Sequence, residues 1–227
     1  MREIVLDTET TGLDPATGDR IVEIGAVELF NHLPTGRTYH QYINPERAMP
    51  PDAFEIHGLG DEFLRDKPKF RQIAGDFLAF IAEAPLVIHN ASFDLKFLNA
   101  ELMAAGLPQL PPSRATDTLM MARKKYPGSP ASLDSLCRRF GIDNSAREKH
   151  GALLDSEILA EVYLELVGGR QPDFALATER RNLAADGAEW RTYPRPQPLG
   201  SRITPEEAAA HQSFVASLGE NALWPKD

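Results

Sequence analysis

The sequence predicts an α/β fold: a mixed sheet flanked by helices, followed by an extended C-terminal tail. Three observations carry this expectation. Three strand-like runs come first, joined by short turn-like links. Helical periodicity then sets in and alternates with one more short apolar run. After Gly169 the aliphatic residues thin out and prolines accumulate.

Residues 3–7 (EIVLD) read as a buried strand ending in an acid, residues 21–29 (IVEIGAVEL) as a second strand, and Tyr39 to Ile43 as a third. Gly12-Leu13-Asp14-Pro15 and Leu33-Pro34-Thr35-Gly36 read as the turns between them, which makes an antiparallel meander. Phe70, Ile73, Ala74, Phe77, Phe80 and Ile81 then recur at helical spacing. Leu86-Val87-Ile88 after Pro85 is a short buried strand. Ser92 is the expected N-cap of a helix running to about Ala105, with Gly106 at its end. A further helix is expected from about Thr116 to Lys125, stopped by Pro127-Gly128. Ser132 is placed to cap the next, which ends at Gly141. The last helix of the core runs from about Ala152 to Val167, with Leu154, Ile158, Leu159, Val162 and Leu166 in one stripe.

Residues 1–170 are thus expected to form one domain. Residues 171–204, with Pro172, Pro194, Pro196 and Pro198, read as a flexible linker. Within the terminal segment 205–227, residues 205–219 read as a short helix with Pro205 in its first turn.

Composition narrows the class. The chain has 227 residues, 42% hydrophobic and 25% charged, as a globular domain with an appendage would. The single Cys137 excludes an internal disulfide and a multi-cysteine metal cage. The apolar stretch after Met1 is too short for a signal peptide, and no run approaches the ~18 residues needed to span a bilayer. A soluble, cytoplasmic protein without a membrane partner is expected. The net charge of −9 argues against a broad basic surface that grips duplex DNA. It is compatible with a site that holds a strand end through cations bound by clustered carboxylates.

Asp7 and Glu9 are the first such carboxylates. Strand side chains alternate faces, so both point the same way, and two converging carboxylates repel unless a cation lies between them. Oxygen donors suit Mg²⁺ or Mn²⁺. Asp94, in Asn90-Ala91-Ser92-Phe93-Asp94, lies just inside a helix N-terminus. Alone it would read as an acid placed to favour the helix dipole. His150 and Asp155, five apart in His150-Gly151-Ala152-Leu153-Leu154-Asp155, lead into another helix. Asp155 sits beside an apolar stripe, where an acid without a partner is costly.

An acid pair followed by Thr10-Thr11-Gly12, then the form H-N-A-x-F-D, then H-x-x-x-x-D, resembles the three motifs of the DEDD exonucleases, histidine subclass. Along residues 1–169 the chain is similar to one branch of that superfamily, the proofreading (ε) subunits of bacterial DNA polymerase III. LDTETTGLD, IVEIGAVE, AFEIHGL, VIHNASFD, ARKKYPG and HGALLDSEILAEVYL carry the likeness. The resemblance implies a ribonuclease H-like sheet and a metal-dependent 3′→5′ exonuclease that removes mispaired 3′-terminal nucleotides from single-stranded or frayed DNA. It implies two divalent cations, Mg²⁺ or Mn²⁺, held by Asp7, Glu9 and Asp155, with Asp94 completing the acid set and His150 as general base. Asp52 and His57 match positions that contact the terminal nucleotide, as Asp7, Glu9 and Asp155 also would. Phe54, His57 and Leu59 are candidates for a wedge that separates the terminal bases.

The tail carries its own expectations. Pro205 to His211 and Leu223-Trp224 resemble in outline the segment of these subunits that binds the polymerase catalytic (α) subunit. Gln171-Pro172-Asp173-Phe174-Ala175-Leu176 resembles a sliding-clamp-binding peptide, with Pro at its second place as a departure. Two other readings stay open on the residues alone. One is an exonuclease of the same superfamily acting on RNA, of the RNase T or oligoribonuclease kind. The other is a catalytically inert adaptor, against which the intact acid set argues.

Overall fold

The computed structural model describes residues 1–145, 149–169 and 203–218. Strand β1 (Arg2–Thr10) pairs antiparallel with β2 (Ile21–Phe30), and β2 with β3 (Leu33–Tyr42). Parallel strands β4 (Leu86–Ile88) and β5 (Ala115–Asp117) complete a sheet of order β3-β2-β1-β4-β5. The mixed sheet agrees with expectation.

The hairpin between β2 and β3 differs from expectation. It turns at Asn31 and His32, both with positive φ (51° and 65°), and Leu33 to Gly36 already belong to β3. Two consecutive left-handed residues make the tight turn whose twist matches the flanking strands, and Asn tolerates that conformation best after Gly. β5 departs from expectation: the helix expected from about Thr116 starts only at Thr118, with Asp117 as its N-cap, the carboxylate accepting from the Leu119 and Met120 N–H groups.

Short helices α1 (Pro51–His57) and α2 (Asp61–Leu64) follow the meander, and α3 (Phe70–Ile81) occupies its expected span. α4 (Ala91–Ala104) begins earlier than Ser92 would have it. Asn90 takes the left-handed conformation at its N-cap, so Ser92 lies inside the first turn. α5 (Thr118–Lys125), α6 (Leu133–Phe140) and α7 (Ala152–Val167) complete the helices of this unit. Ser132 caps α6 by accepting from the Ser135 N–H, and Gly141 closes it with φ of 68°.

The sheet separates two apolar layers. Ile4 and Leu6 of β1 pack with Ile24, Ala26, Leu86 and Ile88 under α3 and α4. Val5 packs with Val27, Leu29 and Val87 under α7. This alternation decides which layer each β1 side chain can reach.

Helix α8 (Pro205–Ser217) belongs to a second compact unit of the chain. Pro205 stands in its first turn as expected, and Thr204 and Glu207 form a reciprocal capping box. The clamp-like segment Gln171–Leu176, most of the linker and Leu223-Trp224 lie outside the described residues.

Candidate active site

Odd-numbered residues of β1 face α7, and at the C-terminal end of the strand this face carries Asp7 and Glu9 rather than aliphatics. The strand continues to Thr10, past the expected end at Asp7, with a register shift between Glu9 and Thr10. A bulge of this kind re-aims side chains and recurs beside active sites. Glu9 is 8% exposed and Asp155 3%.

Asp155 reaches this face because α7 packs unusually close to β2. A Cβ at Gly25 would lie 2.1 Å from the Leu153 nitrogen and 2.2 Å from the Ala152 carbonyl carbon, so only glycine fits. Gly25 is the cross-strand partner of Asp7, and Ser156 Oγ donates to the Gly25 carbonyl at 2.9 Å. The first turn of α7 is thereby locked onto the strand beside the acids. Neither Gly25 nor Ser156 belongs to the expected set. The available signal was an isolated glycine inside a strand pattern, which marks a close backbone approach.

Glu9, His150 and Asp155 come together: ligand atoms from all three lie within 4.8 Å of one another. His150 Nδ1 stands 3.5 Å from Asp155 Oδ2. Glu23 also faces this side, directly across from Glu9, and is 3% exposed. Like charges opposed across strands are unfavourable; here the His40 Nε2 contacts Glu23 Oε1 at 2.6 Å. This pair too was not among the expected site residues.

Asp94 approaches from the other layer. It lies on the buried face of α4 and is 3% exposed. Its Oδ1 accepts from Thr8 Oγ1 at 2.8 Å, and Thr8 is the β1 residue between the two site acids. Burial pushes the Asp94 carboxyl up to about 7, against the Thr8 hydroxyl, which lowers it; nearby Asp117 raises it further. Asp117 also accepts from the Asn90 N–H at 3.2 Å and so holds the turn into α4.

A cavity of about 390 Å³ opens beside Glu9, lined by Thr8 to Leu13 of the β1 end, by Pro50, Asp52, Ala53, Ile56 and His57, and by Phe93. Asp52 is exposed in the first turn of α1, whereas His57 is 6% exposed in its last. His57 Nδ1 accepts from the Leu59 N–H at 3.0 Å, which leaves the proton on Nε2 in the neutral ring. Burial lowers the pKa of His57, with the Thr10 carbonyl opposing and Lys149 and His150 contributing. Phe54 and Leu59 are not among the lining residues; the apolar side chains at the cavity are those of Leu13, Ala53, Ile56 and Phe93, with Pro50.

The donor set suits hard divalent cations. Carboxylate oxygens are the ligands that Mg²⁺ and Mn²⁺ prefer, and Glu9 and Asp155 carry them on nearly buried side chains in one cluster.

A parallel and antiparallel mixed sheet with acids gathered at one end of its central strand defines a class, and comparison with known proteins gives the same class. The exonuclease family model matches residues 4–163. Among solved structures, Exonuclease X in complex with 5′ overhanging duplex DNA matches 72% of this chain and 90% of its own, with a TM-score of 0.56 and 25% identity. The nuclease domain of 3′hExo, a DEDDh family member, shares the fold with a TM-score of 0.62 at 20% identity, over 73% of this chain and 91% of its own. Two relatives named DNA polymerase III subunit epsilon match nearly end to end. That of Rickettsia felis is 52% identical over 98% of this chain and 99% of its own length. That of Escherichia coli K12 is 44% identical over 98% and 97%. The chain belongs to the exonuclease family, in its DNA polymerase III epsilon subunit branch.

Proposed function

We propose that the chain is the proofreading 3′→5′ exonuclease of a replicative DNA polymerase, hydrolysing the terminal phosphodiester of a frayed DNA 3′ end. The observation that carries this reading is the double membership of Glu9. It belongs both to the carboxylate–histidine cluster and to the wall of a cavity whose volume falls within the range of small-ligand sites, roughly 300–1,000 Å³. A nucleotide seated there would present its phosphate to the cluster.

Asp7, Glu9 and Asp155 would hold two divalent cations, Mg²⁺ or Mn²⁺, with Asp94 completing the acid set. When bound, such cations lower the pKa of a water and neutralise charge on the phosphate and the leaving oxygen. The residues of the chain supply the rest. His150 is the general base, taking a proton from the attacking water, with Asp155 orienting its ring from 3.5 Å. His57 and Asp52, on the cavity wall, would contact the terminal nucleotide. Leu13, Ile56 and Phe93 offer apolar surface to the terminal base and its neighbour. A mispaired end melts readily, so a site that admits only single strand selects errors without reading bases.

Ile203, Phe214 and Leu218 of the tail are 64%, 61% and 41% exposed. Apolar side chains on or flanking a capped helix suit docking to another protein. Residues 205–227 are the proposed contact with the polymerase α subunit, 171–176 a contact with the sliding clamp, and 171–204 the linker. No helix among the described residues is long and apolar enough to cross a membrane.

The test is release of mononucleotides from the 3′ end of single-stranded DNA and RNA oligonucleotides with Mg²⁺. The expected result is faster cleavage of DNA, its loss on chelation, and at least a 100-fold drop, about 3 kcal/mol of barrier, in Asp7→Ala and Asp155→Ala. Activity that survives Asp7→Ala would belong to another enzyme, and preference for RNA would overturn the polymerase assignment.

A further inference from the structure

We propose that Phe54 and Lys149 form a latch that ties the nucleotide-binding helix α1 to the segment carrying His150, so that occupancy of the cavity and placement of the base are mechanically coupled. The proposal rests on the exonuclease reading above and adds a positioning role that the catalytic motifs do not contain.

Three contacts join α1 to the segment Lys149–Gly151. The Lys149 ammonium lies 5.3 Å from the centroid of the Phe54 ring, a cation–π distance. The Lys149 stem lies against Gly58, the residue that closes α1. A Cβ there would stand 2.9 Å from Lys149 Cδ and 3.1 Å from Nζ, and φ at Gly58 is 75°, so glycine serves both the helix end and the passage of the lysine. The His150 N–H donates to the Ile56 carbonyl at 3.3 Å, at the last turn of α1.

On α1, Phe54 falls between two pairs of cavity residues. Asp52, Ala53, Ile56 and His57 line the cavity, whereas Phe54, 44% exposed, is not part of that lining and meets Lys149. A nucleotide pressing on the first set bears on the same short helix that holds the second. Lys149 precedes His150 directly, so its side chain restrains the backbone from which the base projects. Phe54 is thereby explained without a role as a wedge: its exposed ring serves a protein contact.

A latch and a wedge differ in which kinetic constant they govern. The experiment is steady-state hydrolysis of a single-stranded DNA oligonucleotide with Mg²⁺ by the full chain and by Phe54→Leu, Lys149→Met, the double variant, Phe54→Tyr and Lys149→Arg. The latch predicts that each disrupting single variant lowers kcat about threefold or more at nearly unchanged KM, the size expected for a partly exposed cation–π contact. It also predicts that the double variant is no worse than the weaker single and that Phe54→Tyr and Lys149→Arg restore kcat. A rise in KM alone on losing Phe54 would make it a substrate contact and overturn the latch. So would additive losses, or unchanged kinetics with only a lowered Tm. In each of these outcomes an inactive Asp7→Ala control leaves the exonuclease reading intact, whereas a wild-type chain that cleaves no DNA overturns both.

Discussion

At the scale of single residues, the site combines acids from both sides of one strand. Glu9 points to the α7 layer, and Thr8 points to the α4 layer, where it meets Asp94. The Thr8 hydroxyl donates to Asp94 and lowers its pKa, which burial holds near 7 instead of 3.8. Between those two values the folded, metal-free chain keeps a proton that the unfolded chain has released. Stability therefore falls as pH rises from about 4 to about 7 and levels above it. Thr8→Val removes a hydrogen bond to a charged group at nearly constant shape. It should raise the Asp94 titration further and lower kcat by roughly tenfold. Carboxyl carbon NMR of Asp94 across pH 4–9 checks the first effect, and an unmoved titration would show that the Thr8 contact does not hold the carboxylate.

At the scale of elements, the decisive contact is α7 on β2. Ala152 and Leu153 pack against Gly25 so closely that no side chain fits, and Ser156 bonds the Gly25 carbonyl. Gly25→Ala must push α7 off the strand. The expected cost is about 1–3 kcal/mol, a fall in Tm of roughly 5 °C. Because Asp155 and His150 ride on or beside the first turn of α7, nuclease activity should fall by more than the loss of folded protein accounts for. Thermal unfolding and specific activity measured on the same preparation separate the two, and wild-type activity per folded molecule would count against α7 docking as what places Asp155. The pattern IVEIGAVEL shows the strand and its odd glycine but not what approaches it.

At the scale of the molecule, every proposed catalytic and nucleotide-binding residue lies within residues 7–155, and α8 belongs to a separate unit. A net charge of −9 leaves little general attraction for DNA, which suits an enzyme handed its strand end by a partner. A chain truncated after Gly169 should keep its rate on short single-stranded DNA within about twofold, and lose co-purification with a replicative polymerase α subunit. Retained co-purification would move the polymerase contact into the exonuclease domain.

What the sequence by itself determined is local. The meander, the periodic helices α3 and α7, the Ser132 cap and the Gly141 stop were legible because each depends on neighbours a few residues away. The acids and His150 were legible because their spacings and flanking residues match known motifs. The tertiary structure decided what depends on distant partners. It moved the hairpin turn to Asn31-His32, because strand pairing runs out to Phe30 and Leu33. It made Ala115–Asp117 a strand, since Leu86–Ile88 offers an open parallel edge. It brought Thr8 to Asp94 and Phe54 to Lys149, pairs 86 and 95 residues apart that no local pattern records. Period and propensity set which way a side chain points along its own element; only packing decides what it meets there.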